Sequence, residues 1–360
     1  MLRPVIHQVL IGASEGDAIT QMALAVRNEL RHYCDSEIYA LWRHGDVMRD
    51  ECKDLAEYPK SADLDLTVYH SSIGWHEMTT FLRSRTEKIA ISYHNITPSQ
   101  MYAEYNPDFA ADLDLGRQDL MEMRDRTVLA VADSEFNALD LETFGYQDIH
   151  VVPAGFTPSR LAAESYDIAI LQQMSRRFPN GYVVAVGQIL PHKRIEQLIE
   201  TMHLMNSTYW GNIGLVICGV ARQEQYRIAV SKFHQRCAMV DVHFTGQVTD
   251  QQLSTFIRGA RMYLGMSDHE GLSIPPVEAM SMGVPVIVKG AAAVPETVGE
   301  GALLLPADAG PVLAAEAVHE VLNNDHLRWS LIHKGFHRAR ELESRASSSR
   351  TAELLLVAAQ

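Results

Sequence analysis

Two carboxylates with seven residues between them, Glu270 and Glu278, flank a run of small residues that leads into a helix start. The block begins after the apolar run 262–266, passes through a turn, and reads as a helix over 275–282 followed by a strand over 284–288. Pro275 and Pro276 are tolerated in a first helical turn, where their missing N–H groups would lack partners anyway. Gly283 suits the left-handed residue that ends a helix. Gly271, Leu272 and Ser273 fall at that helix start, so their amides and the positive end of the dipole form a receptor for an anion such as a diphosphate. Carboxylates touching the anion would repel it, which assigns Glu270 and Glu278 to accept hydroxyls on either side of it.

The elements that position this block follow one alternation. Residues 5–11 read as an apolar strand ending at a turn with Gly16 and Asp17, and 18–33 as an amphipathic helix. Strands follow at 36–42, 65–71 and 88–93, the last running straight into His94-Asn95-Ile96-Thr97-Pro98. Proline disfavours helix in the residue before it, which holds His94 and Asn95 in an extended turn at a strand's carboxyl end, where ligands gather in such sheets. A polar helix at 109–126, strands at 128–132 and 149–152, and a connector over 159–179 complete the first half. The second half has strands at 182–187, 214–219 and 240–248, helices at 223–238 and 250–259, and a basic turn containing Gln188, Lys193 and Arg194. Alternation of this kind implies parallel sheets covered by helices on both faces. Asp63 and Asp65, and likewise Asp112 and Asp114, sit at element edges and read as surface carboxylates rather than a metal-binding pair.

A chain of 360 residues is too long for one ordinary core and fits two domains. The net charge of −14 argues against nucleic acid as a partner and against a general pull toward anionic membranes. Four scattered cysteines, Cys34, Cys52, Cys218 and Cys237, have no metal or redox spacing and suit reduced thiols in the cytoplasm. The first residues are too short an apolar run for a signal peptide, and no run is long enough to span a membrane.

The segment His269-Glu-Gly-Leu-Ser-Ile-Pro-Pro-Val-Glu-Ala-Met280, followed by Gly283-Val-Pro-Val-Ile287, resembles the donor-site signature of retaining family 4 glycosyltransferases, the glycosyl transferases group 1. The resemblance implies the α/β GT-B architecture: two Rossmann-like domains facing across a cleft, with a C-terminal helix crossing back to the first. It implies an acceptor-side domain at 1–160, a nucleotide-sugar domain at 161–335 and the returning helix at 336–360, with Val152-Pro-Ala-Gly155-Phe156 as the exit from the first domain. Residues 290–296 and 299–308 match the family's last strands. Tyr93 to Pro98 resembles a family segment whose histidine lies over the donor sugar. On this resemblance Glu270 contacts the donor sugar and Glu278 the ribose hydroxyls; Gly16, Gln188, Lys193, Arg194 and the 271–273 amides hold the diphosphate; Asp17, His94 and Asn95 face the acceptor. Where the family commonly has an arginine this chain has Gln188, so either Arg194 compensates or one cation fewer is used.

The implied reaction is hexosyl transfer with retention to a saccharide or glycolipid hydroxyl, by a front-side mechanism in which the leaving diphosphate takes the acceptor proton. GDP-mannose ranks ahead of a UDP-hexose as donor. Catalysis would rest on His94, Lys193 and Glu270, with no cofactor and no essential metal. A nucleotide-sugar epimerase of the same fold and a non-catalytic partner protein stay open, and a peripheral membrane contact is compatible with the chain. Oligomeric state is not encoded in any motif.

Overall fold

Apolar runs of five to nine residues recur through the chain, and in the computed structural model, which describes residues 3–153, 157–209 and 211–360, each is a buried parallel strand. Near-continuous hydrophobic strands are what a sheet covered on both faces requires. The chain divides into two compact units. Unit 1 comprises residues 1–100, 107–156 and 344–360, and unit 2 residues 101–106 and 157–343.

Unit 1 holds β1 (Ile6–Ser14), α1 (Ala18–Leu30), β2 (Ile38–His44), α2 (Asp46–Glu51), β3 (Lys53–Asp54), β4 (Leu66–Ser71), α3 (His76–Ser84), β5 (Lys88–Tyr93), α4 (Pro107–Met123), β6 (Thr127–Ala132), α5 (Glu135–Thr143) and β7 (Ile149–Val151). Its strands lie in the order β3-β2-β1-β4-β5-β6-β7, all parallel. The order reverses between β1 and β4, so that their carboxyl ends open the crevice where doubly wound sheets bind ligands.

Unit 2 runs α6 (Pro158–Ala162), α7 (Ile168–Arg177), β8 (Tyr182–Val186), α8 (Ile195–Tyr209), β9 (Gly214–Cys218), α9 (Glu224–His234), β10 (Val242–Gly246), α10 (Asp250–Gly259), β11 (Met262–Gly265), α11 (Ile274–Ser281), β12 (Val286–Lys289), α12 (Val294–Val298), β13 (Leu303–Leu305), α13 (Pro311–Asn323) and α14 (Asp325–Arg345). The order β10-β9-β8-β11-β12-β13 places the switch between β8 and β11. Those two strands deliver the Gln188–Arg194 turn and the Ser267–Ser273 turn.

Several sequence expectations are corrected here. The connector at 159–179 is two helices: Asp167 caps α7 by accepting from the Ala169 and Ile170 amides, and Met174 buries its inner face. Its single buried apolar residue made the helical stripe too thin to recognise. Residues 290–296 form no strand, because Pro295 opens α12 just beyond the small residues Gly290 to Ala293. The expected strand to 248 ends at Gly246, where Thr249 starts the capping box of α10. Ala154, Gly155 and Phe156, assigned to the domain exit, lie outside the described residues.

The last helix, α15 (Ser348–Ala359), belongs to unit 1. It packs on α1 and joins a core cluster with Ile6, Val26, Leu30, Leu66 and Leu129 through Ala352 and Leu355. Leu355 is 1% exposed, whereas Val357, two residues on, is 69% exposed. Leu355→Ala removes buried methyls and leaves a cavity, which costs about 2 to 5 kcal/mol. Val357→Ala is expected within about 0.5 kcal/mol of the parent, and urea unfolding of both variants measures the difference.

Candidate functional site

In unit 2 the site is built on close backbone approaches. Gly187 follows β8 with φ +144°, and a Cβ there would meet Lys193 Cε at 3.5 Å, so the lysine chain lies directly over the glycine. Gly219 follows β9 with φ +155°, and its Cβ would stand 2.0 Å from the Gly187 carbonyl oxygen, an approach only glycine allows. With the turn so compressed, Lys193 Nζ reaches Glu270 Oε1 at 2.6 Å. Burial pushes the Glu270 carboxyl up, but the Lys193 charge and hydrogen bonds from Lys193 and Ser267 outweigh it and hold the group below the usual carboxylate range. Neighbouring His192 is pushed down to about 3, first by burial and then by Lys193, and is therefore neutral. Its Nδ1 is 2.9 Å from the Tyr102 hydroxyl, from the 101–106 segment that belongs to this unit.

Arg194 ends the turn in the left-handed region, φ +53°. Its Nε is 2.7 Å from Asp268 Oδ2 and one terminal nitrogen is 3.2 Å from Glu196 Oε1. Asp268 also takes the ammonium of buried Lys289. Arg194 is thus paired with two carboxylates, which favours the alternative that one cation fewer is used; Gln188 itself is exposed.

The 271–273 turn enters α11 through Ser273 at φ +64°, with Pro275 and Pro276 in the first helical turn. The turn is pinned by Ala293 N donating to the Glu270 carbonyl at 3.2 Å and by the Thr297 hydroxyl donating to the Leu272 carbonyl. Glu278 lies one turn into α11. Burial pushes its carboxyl up to about 7, and Asp250 adds to the rise while Arg160 opposes it. Two carboxylates of one short segment therefore differ: Glu270 is ionised and paired, and Glu278 is half protonated near neutrality.

Unit 1 spends most of its expected ligand groups internally. Asp17 caps α1, accepting from the Thr20 amide and hydroxyl, each at 2.8 Å, so its carboxylate is not directed at an acceptor. Gly16 takes φ +73° in open space, as a tight turn requires. Asn95 is buried, with φ +74°, and its Nδ2 donates to Asn137 Oδ1 at 2.9 Å, a structural role. The His94 side chain is 3% exposed. Its Nδ1 is 2.8 Å from Asp133 Oδ2, and its Nε2 is 2.8 Å from His70 Nδ1. Both ring nitrogens are engaged inside the unit, which corrects the expectation of a ring presenting a hydrogen bond to sugar.

Residues 172–338 match the glycosyl transferases group 1 family. They form a group 1 glycosyltransferase domain. The chain is 25% identical to the O-antigen chain mannosyltransferase B of Escherichia coli over 275 residues, 74% of this chain and 70% of that protein. It is 35% identical to the MMP alpha-(1->4)-mannosyltransferase of Mycolicibacterium hassiacum over 173 residues, 47% of this chain and 38% of that protein. Among solved structures, the Anabaena HepE complex with UDP-glucose superposes with a TM-score of 0.73 at 13% identity, covering 98% of this chain and 99% of that one. The fold is that of the GT-B glycosyltransferases.

Within this glycosyltransferase domain, sequence reasoning missed Tyr102, Asp268 and Lys289. Asp268 and Lys289 bracket the recognised block and could have been found as its nearest charges; Tyr102 is distant in sequence and carried no signal.

Because the folded Glu278 value lies above the ordinary value of 4.5, its contribution to stability is present below that value and is lost as pH rises through about 7. A shift of this size corresponds to at most about 3 kcal/mol, an upper figure for a residue that keeps some solvent contact. Glu278→Gln should therefore match the parent near pH 5 and exceed it in stability at pH 8, by urea unfolding at the two pH values.

Proposed function

We propose that this chain is a retaining hexosyltransferase of family 4 that moves mannose from GDP-mannose to a hydroxyl of a growing saccharide or glycolipid on the cytoplasmic side of the membrane. The observation that carries the reading is the half-buried Lys193–Glu270 pair at the switch point of a group 1 domain, with Glu278 one turn into the following helix. The E. coli and Mycolicibacterium relatives named as mannosyltransferases support mannose; the UDP-glucose held by the Anabaena neighbour keeps a UDP-hexose as the second reading.

In this reading the donor diphosphate displaces Glu270 from Lys193, and a hydroxyl of the transferred sugar takes the lysine's place on the carboxylate. Glu278 accepts the ribose hydroxyls. The amides at the start of α11 and the Lys193 ammonium stabilise the leaving diphosphate, which takes the acceptor proton, so catalysis is electrostatic and positional and uses no essential metal. Gln188 supplies a neutral hydrogen bond of about 1 kcal/mol where a cation would give about 1.5 to 3. Donor affinity is accordingly modest, and Lys193 carries a large share of it.

Thermal unfolding with GDP, UDP, ADP and dTDP tests the donor. The matching nucleotide at 100 times its dissociation constant stabilises by about 2.7 kcal/mol, and Glu278→Ala abolishes the shift. Ribose hydroxyls bind the ionised carboxylate, so affinity should tighten up to about tenfold per pH unit below about 7 and level off above it. Nucleotide release that requires an acceptor, giving an α-linked product by NMR, supports the transferase. An inverted product removes the retaining assignment, and no shift with any nucleotide makes the chain a non-catalytic partner.

A further inference from the structure

In unit 1 a chain of four side chains runs from the core to the carboxyl end of the sheet: Gln8 of β1, His70 of β4, His94 after β5 and Asp133 after β6. Gln8 is fully buried and His70 is 4% exposed. Gln8 Nε2 donates to the Ala23 carbonyl of α1 at 3.0 Å, which fixes the amide so that its oxygen faces His70 Nε2 at 2.8 Å. Reversing the amide would set its oxygen against the Ala23 carbonyl oxygen. An amide oxygen only accepts, so His70 must carry its proton on Nε2.

That proton decides the rest. Burial holds His70 well below its ordinary value, so His70 is neutral and its Nδ1 is a bare lone pair. The two rings lie within 9° of one plane, with centroids 5.1 Å apart. At an Nδ1–Nε2 distance of 2.8 Å this is an edge-to-edge hydrogen bond rather than stacking. Two lone pairs cannot face each other there, so His94 Nε2 donates. Asp133, an acceptor when ionised, then takes the proton of His94 Nδ1. His94 has donors on both nitrogens. The titratable groups facing its ring are His70 and Asp133, and the Ser92 hydroxyl on β5, 3.3 Å from Nε2, adapts to either role.

We propose that Gln8 and His70 are positioning residues that hold His94 as an imidazolium paired with Asp133 in the resting protein. The charge state follows from unit 1 alone.

Long-range proton–nitrogen NMR of the ¹⁵N-histidine full-length protein, without substrate, tests the charge state. The His94 signal is assigned by its loss in His94→Gln. The expected result at pH 7.5 is two protonated ring nitrogens on His94 and one, Nε2, on His70. In Gln8→Leu, His70 is free to move its proton to Nδ1, and His94 should become singly protonated at the same pH. Gln8→Glu keeps an acceptor and should keep His94 charged, so it serves if the leucine variant does not fold. A singly protonated His94 in the parent, or a charged His94 in Gln8→Leu, overturns the proposal whether or not transfer is observed.

Discussion

Keeping the half-buried Glu270 carboxylate ionised is the constraint on which the second unit depends. A carboxylate withdrawn from most of its water is costly unless a counter-charge and hydrogen bonds meet it, and here Lys193 and Ser267 do so. Lys193 packs at van der Waals distance over Gly187, whose φ of +144° suits glycine, and Gly187 can hold that path because Gly219 lets its carbonyl approach. The His192 carbonyl receives the Asp268 amide at 2.8 Å, tying the lysine's turn to the carboxylate's turn. A ligand anion that took Lys193 alone would strand Glu270. Only a ligand that also offers a hydroxyl to the carboxylate restores the balance, which is the coupling of phosphate and sugar that the proposed reading requires.

The same segment carries a second carboxylate under the opposite condition. Glu278 is shifted up by burial, with Asp250 reinforcing it, whereas Glu270 is held down by its lysine. A carboxyl poised to about 7 can be neutral in the resting protein and ionised once hydroxyls donate to it. Sequence position gave both residues a similar status; their surroundings separate them, one as a permanent charge and one as a group whose charge is set by what binds.

Much of the fold was legible because parallel strands in a covered sheet are apolar along their whole length, and 88–93, 182–186 and 250–259 are found where periodicity and turn residues put them. α7 was missed because it buries little, and a strand was wrongly expected at 290–296 because small apolar residues fit a strand pattern as well as a bend. In the site, the block around Glu270 and Glu278 was readable since chemistry and local structure coincide there. The partners of Asp17, Asn95 and Arg194 were not legible, for one common reason. A polar side chain at a strand's end is equally able to cap a helix, bond a neighbouring loop or meet a ligand, and only the fold reveals which partner is in reach: Thr20, Asn137, and Asp268 with Glu196.

Charge counting around the β8–β11 switch carries the last step. Lys193, Arg194 and Lys289 are matched by Glu270, Asp268 and Glu196, leaving the resting cluster without excess charge. A diphosphate therefore gains from the cluster only by taking Lys193 from Glu270, and the positive end of the α11 dipole adds to that attraction because Glu278, within the same helix, is uncharged well below about pH 7. In the proposed reading, ribose hydroxyls that bind Glu278 ionise it, and its charge is then spread over the hydrogen bonds it accepts. The raised carboxyl would thus let one short helix attract an anion at its start while keeping an acceptor for hydroxyls one turn away.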